Sequence, residues 1–392
     1  MSGRPSHEVA EVFRRLRDSA IPAPAPKPEQ RRVVHRILRC RTAALGGHVD
    51  ACSDCGHREI SYNSCRDRHC PKCQGSAQAD WLQQRQADVL PVPYGHVVFT
   101  LPHELGPLAL AHPRVLYDLL FRAAASTLLD VAANPRFLGA RIGFFSVLHT
   151  WGQTLVHHPH LHCVVPAGGL AADGSTWVAC PRGFFLPVRV LSRLFRARYL
   201  DGLRDAHGQG LLGQMSHAAL EDLVARCLQK PWVVFAKPPF DGPDSVLTYL
   251  ARYTHRVAIS NHRLVSLDDQ RVRFRFKDYR GRRVRHQELP LAEFARRFLL
   301  HVLPRRFVRI RYYGLLAHGC RRRMLSQCRL ALQGHAEASP SVPAPPPDSL
   351  SVLQNLLPVP PRLCPACKKA MLACVEVLER PPPFLRSFRG LP

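Results

Sequence analysis

The sequence predicts an α+β fold with a small cysteine-rich module near its N-terminus. Three observations carry this reading. Strand-like and helix-like runs are mixed without the regular alternation that builds a parallel sheet. Two apolar runs, 143–150 (GFFSVLHT) and 160–166 (HLHCVVP), flank a connection from Gly152 to Pro159, as in an antiparallel hairpin. Cys52-x2-Cys55 and Cys70-x2-Cys73 lie fourteen residues apart, close to the spacing of a two-knuckle zinc ribbon.

The elements follow in order. Residues 7–18 read as a short helix, the proline-rich IPAPAPK (21–27) as a stiff extended linker, and 28–43 as a helix with a basic face. The cysteine-dense stretch 48–75 comes next, then a β-branched run, VVFT (97–100), stopped by Pro102. Residues 114–133 form a long apolar-faced helix and 192–227 are mostly helical. WVVFA (232–236) is a strand between prolines. DSVLTYLARYTH (244–255) is a helix with Asp244 or Ser245 as its N-cap. RVRFRFK (271–277) alternates strictly, and 291–303 is an amphipathic helix. From about 337 the chain turns proline-rich, a linker composition. The expected units are 1–88 (helices and cysteine module), 89–320 (central unit) and 321–392 (helix, linker and cysteine-bearing tail).

The 392 residues carry 55 Lys+Arg against 29 Asp+Glu, a net charge of +26. Such a balance points to a polyanionic partner. No run of ~18 apolar residues exists to span a membrane, and the N-terminus has no apolar signal core. Fourteen cysteines without such a signal suggest a reducing, intracellular setting, where spaced cysteines bind metal more often than they pair.

Cys52, Cys55, Cys70 and Cys73 are the expected ligands of a structural Zn2+, since four thiolates close a tetrahedron. Cys65, His69, His48 and His57 lie in the same stretch, so the ligand set stays open and a second metal has room. Cys364-x2-Cys367 is half a ribbon; Cys320 and Cys328 are candidates for the rest.

In HHPHLHC (157–163), His160 and His162 alternate and would share one strand face. Alone, such a pair is often two satisfied polar residues. Tyr249 and Tyr253, four apart on the expected helix, share a face as well. They also fit the apolar pattern of Val246 and Leu250, so core packing is an alternative.

HPHLH followed by YLARYTHRVAISNHRL resembles the HUH nucleases, and specifically the IS91-type transposases. YNSCRDRHCPKCQ (62–74), HVVFTLPHEL (96–105), TWGQ (150–153), FKDYR (276–280) and RRFLLHVLPRRFVRIRYYGLLAH (296–318) extend the resemblance over roughly residues 40–320. It implies an HUH-type central antiparallel sheet with flanking helices. It further implies that His160 and His162 hold a catalytic Mg2+ or Mn2+, with Gln153, then His158, then His149 as candidates for the third ligand. Gln153 ranks first because a carbonyl oxygen suits a hard cation. Tyr249 and Tyr253 would attack the scissile phosphate of single-stranded transposon ends, leaving a 5′-phosphotyrosine and a free 3′-OH for strand transfer in rolling-circle transposition. The resemblance implies a bacterial cytoplasmic protein, at the nucleoid when bound to DNA.

The basic segments then gain a role. Residues 271–285 hold eight Arg or Lys, and 296–311 six Arg. Arg271, Arg273, Arg275, Lys277, Arg280, Arg282, Arg283, Arg305, Arg306 and Arg309 are the expected DNA contacts, with Tyr279, Tyr312 or Tyr313 as stacking platforms. The alternatives are an HUH replication initiator or relaxase, and a catalytically inactive zinc DNA-binding protein. A zinc hydrolase is disfavoured, because HxHxDH and HExxH are absent.

Overall fold

The computed structural model describes residues 5–18, 26–73, 81, 83–85, 88–181, 186–240, 256–278, 281, 283–336 and 363–381. The chain opens with α1 (Val9–Asp18), α2 (Pro28–Arg39) and the hairpin β1 (Gly47–Cys52) and β2 (Arg58–Tyr62). Next come β3 (Tyr94–Thr100), α3 (Gly106–Ala111), α4 (Pro113–Ala133), β4 (Gly143–Trp151) and β5 (His157–Pro166). The short pair β6 (Gly168–Leu170) and β7 (Trp177–Ala179) precedes α5 (Val188–Gly208), α6 (His217–Leu228) and β8 (Val234–Phe240). The rest is β9 (Leu264–Leu267), β10 (Arg271–Asp278), β11 (Arg283–Pro290), α7 (Leu291–Leu299), β12 (Ile310–Gly314), α8 (Arg321–Ala336) and β13 (Leu372–Leu378).

A five-stranded sheet in the order β12-β4-β5-β3-β8 forms the centre, with every pair antiparallel. The fold is thus α+β, as expected. β4 and β5 read as near-continuous apolar runs because both faces of the sheet are covered. Phe144, Leu148, Leu161, Cys163 and Phe99 pack against α4 and α5. Phe145, Val147 and Val164 face the other way, toward Met324 and Leu325 of α8.

The β4–β5 hairpin forms, but its turn is tighter than the expected Gly152–Pro159 connection. β5 begins at His157, and Leu155 takes a left-handed φ of 62° to close the turn. A bulge between His149 and Trp151 absorbs the extra residue. The expected 192–227 helix divides in two. Gly210 and Gly213, at φ 70° and 67°, break it, and Ser216 caps α6 by accepting from the Ala219 N–H.

A second sheet, β11-β10-β9, follows the predicted alternation: Val272 and Phe274 are buried and the basic side chains exposed. It packs with α7 against α1 and α2, where Phe13 meets Phe298 edge-on at 5.6 Å. Residues 9–37 therefore share one core with residues 258–298, across the expected boundary at 88. A third sheet has the order β13-β1-β2, so a C-terminal strand completes the N-terminal hairpin.

Candidate metal centres and the surrounding site

β5 is the middle strand, and antiparallel register decides what its histidines meet. His149 of β4 lies directly opposite His160, and Thr100 of β3 lies on the other side. Directly opposed residues project from the same face with Cβ atoms ~5 Å apart. The rings converge: His149 and His162 are 4.4 Å apart, His160 and His162 4.8 Å, and His149 and His160 5.5 Å. One ring nitrogen of each lies within 4.8 Å of the others, the arrangement of three ligands around an ion.

Neighbours engage Nδ1 of both β5 rings. His160 Nδ1 donates to the His158 carbonyl at 2.7 Å. His162 Nδ1 lies 2.9 Å from Nε2 of the buried His96 on β3. Each bond engages Nδ1, which makes Nε2 the nitrogen that would face an ion, as outer-shell partners of metal-bound histidines do. Burial pushes His160 down to about 4 and His162 well below its ordinary value, with the neighbouring histidines adding to the effect. Both rings are therefore neutral near pH 7, the form that binds metal. His149 and His162 are buried, whereas His160 is half-buried, so the cluster opens on the His160 side.

The residue that the fold brings to the pair is not the first of the expected candidates. His149, ranked last, joins the pair, because register on the adjacent strand places it there. His158 is exposed and contributes its carbonyl to His160, not its ring to the cluster. Gln153 sits in the turn, where its side-chain oxygen lies 3.5 Å from the Lys277 backbone N and its carbonyl accepts from Arg263. It is held by the second sheet.

Beside the cluster runs a cleft lined by Arg68, Trp151, Arg256, His301 and Arg309. Trp151 stacks on His149 at 4.6 Å. Burial lowers Arg309 to about 10, with Arg68 adding repulsion, yet it stays cationic at neutral pH. Sequence reading missed Arg68, Arg256 and His96. Only the tertiary fold brings them here, although His96 alternates with Val98 on β3.

Tyr249 and Tyr253 lie outside the described residues, as do Tyr279, Arg280 and Arg282. Arg271, Arg273, Arg275 and Lys277 share one exposed face of β10, opposite Glu288 and His286 of β11, and Arg271 pairs with Glu288 at 3.0 Å. Arg283 opposes Asp278, so it belongs to the other face of that hairpin. Arg305 and Arg306 are exposed in a turn. Tyr312 and Tyr313 are not free platforms: they pack on Phe145 and Phe144, at 5.9 and 5.2 Å.

The expected zinc set also divides. Cys70 and Cys73 group with Cys40 and Cys65, while Cys52 and Cys55 group with Cys364 and Cys367. The reason is topological. Cys52 and Cys55 form the turn of the β1–β2 hairpin, whereas Cys70 and Cys73 are drawn into the α1–α2–α7 core. In the first cluster Cys73 Sγ lies 3.4 Å from Cys40 and 3.5 Å from Cys65. Zn–S bonds of ~2.3 Å imply S···S edges of ~3.8 Å, so these thiols fit one zinc with little adjustment. His69 is not a ligand: Nδ1 bonds Asp67 at 2.9 Å and Nε2 accepts from the Leu303 N–H. Cys320 and Cys328, candidates to complete the tail pair, lie with the α8 core instead. Cys40 was missed because no second cysteine stands near it in sequence.

Comparison with known proteins gives the class. A family described as "Transposase zinc-binding domain" matches residues 12–101, and one described as "Putative transposase" matches residues 143–324. "Putative transposase y4qJ" of Sinorhizobium fredii is 51% identical over 385 residues, covering 96% of each chain. "Transposase for insertion sequence element IS801" of Pseudomonas savastanoi pv. phaseolicola is 31% identical over 302 residues, covering 73% of this chain and 70% of its own. No solved structure matches. Fold, cysteine clusters and relatives together define a DNA-binding transposase with a zinc-binding module. The chain belongs to the IS91 family of transposases.

Proposed function

We propose that this transposase nicks single-stranded element ends with a divalent cation held by His149, His160 and His162, and with Tyr249 and Tyr253 as nucleophiles. The observation that carries this is the convergence of three imidazoles on the central sheet, the two of β5 neutral near pH 7 with Nδ1 already bonded, and the cluster opening at the half-buried His160. A bound cation supplies Lewis-acid polarisation of the scissile phosphate and orients it. An all-imidazole donor set favours Mn2+ over the harder Mg2+.

The chain's own residues do the rest. Arg256 and Arg309, beside the triad, offer cationic partners for the phosphodiester on either side of the cut. The four cations on one face of β10 track the single-stranded backbone. The tyrosine hydroxyl attacks phosphorus as its proton leaves. The P–O3′ bond breaks, and the 3′ oxygen takes a proton to become a free 3′-OH. The 5′ end stays on the tyrosine, so a later attack by another 3′-OH restores the phosphodiester without an external energy source. Arg256 directly follows the segment bearing both tyrosines, which supports their reaching the triad.

The test offers labelled single-stranded oligonucleotides carrying the element ends, with Mn2+. Cleavage by the wild type, lost in His160→Ala while salt-dependent binding persists, is the expected result. Cleavage that survives in His160→Ala at full rate refutes the metal-site reading.

A further inference from the structure

The second cysteine cluster joins opposite ends of the chain. We propose that Cys52, Cys55, Cys364 and Cys367 hold a second structural Zn2+, which fastens residues 363–381 to the N-terminal module as its missing half. The zinc-binding family match ends at residue 101, so two of these four ligands lie outside it.

Three observations carry this independently. The first is the sulfur geometry. Cys52 Sγ lies 3.7 Å from Cys367 and Cys55 Sγ lies 3.6 Å from Cys364, close to the ~3.8 Å edge of a zinc tetrathiolate. One ligand atom from each lies within 4.8 Å of all the others.

The second is that the two Cys-x2-Cys turns have the same form. In the first, the Gly56 N–H donates to the Cys52 carbonyl at 3.0 Å, with Gly56 at φ 72°. In the second, the Lys368 N–H donates to the Cys364 carbonyl at 2.9 Å, with Lys368 at φ 58°. A lysine at positive φ is uncommon. Here it turns the backbone so that both thiols present to one point. Each first cysteine also donates its own N–H across its turn, Cys52 to the His57 carbonyl and Cys364 to the Ala370 carbonyl. The chain thus builds one metal-ready turn twice, more than 300 residues apart, and faces the copies toward each other.

The third is the strand that follows the second turn. β13 pairs with β1 from Gly47↔Leu378 to Cys52↔Leu372, and Arg58 of β2 reaches Glu376 at 3.1 Å. Without it β1 would be an open edge of a two-stranded hairpin, which is marginal alone. The N-terminal module is shaped to receive it. A Cβ on Gly46, at φ 66°, would sit 2.5 Å from the Leu378 carbonyl oxygen. The metal and the strand are therefore one device: the turns hold the zinc and the ladder holds the tail.

Zinc content of the purified full chain tests this. Wild type is expected to carry about two zinc ions per chain, and Cys364→Ser/Cys367→Ser about one. Cys367→His, which keeps a zinc-binding donor set, retains about two. A protease site placed in the proline-rich stretch 339–347 supplies a readout of docking. After cleavage the C-terminal piece co-elutes with the rest of the wild-type chain and separates from it in the double serine variant. One zinc in the wild type, two in the double serine variant, or a cut tail that leaves the wild-type chain would each overturn the proposal. These readouts do not use DNA cleavage, so they stand or fall apart from the nicking mechanism.

Discussion

His96→Leu removes a hydrogen bond at the candidate catalytic centre. His96 is 3% exposed, and its Nε2 lies 2.9 Å from His162 Nδ1. Leucine fills similar space but cannot bond that nitrogen. The ring of His162 then loses the partner that fixes its tautomer and aim. Loss of such an outer-shell partner typically weakens metal affinity ~10–100-fold, or roughly 1.4–2.8 kcal/mol. The assay is Mn2+ titration by calorimetry, with the Mn2+ concentration for half-maximal cleavage read alongside. His96→Gln keeps an acceptor and should recover most of the loss. A change below about twofold in His96→Leu, beside a large loss in His162→Ala, would refute the idea that His96 sets the ligand.

Further outcomes follow from the same geometry. His149→Ala should weaken Mn2+ binding as much as His160→Ala does, and His158→Ala by less than about threefold; the reverse order would restore His158 as third ligand. Hydrogen bonds from Arg296, then Arg297, hold Glu293 down at about 2. A depressed carboxylate stabilises above its unfolded pKa and loses that stability as pH falls through the folded value. Glu293→Gln should therefore cost on the order of 1 kcal/mol at pH 7 in urea unfolding, with its deficit against wild type vanishing toward pH 2. Phe274 is fully buried and meets Phe294 edge-on at 5.9 Å. Phe274→Ala should lower stability by about 3–5 kcal/mol, and a loss under 1 kcal/mol would contradict the shared core of the N-terminal helices and second sheet.

Local pattern carried far in this chain. The alternation of RVRFRFK specified its strand, because period two is written in neighbouring residues. His160 and His162 were legible for the same reason, and the quoted motifs gave the family. What escaped depends on contacts distant in sequence. The third histidine required the register of β4 on β5 and a bulge that sequence does not announce. The zinc ligands were grouped by spacing, whereas the fold groups them by topology: a hairpin turn meets a C-terminal turn, and a core pair meets the lone Cys40. Tyr312 and Tyr313 look like surface aromatics in a basic run, but β12 lies against β4 and turns them onto phenylalanines.

The central claim is tested most directly by trapping the covalent intermediate. A single-stranded oligonucleotide bearing the element end and a label on the 3′ side of the cut is incubated with the protein and Mn2+, then denatured and examined by mass spectrometry. A protein–DNA adduct mapping to Tyr249 or Tyr253, lost in the double Phe variant and in His160→Ala, is the predicted result. Cleavage with no covalent adduct, or an adduct that persists in the double Phe variant, would contradict it.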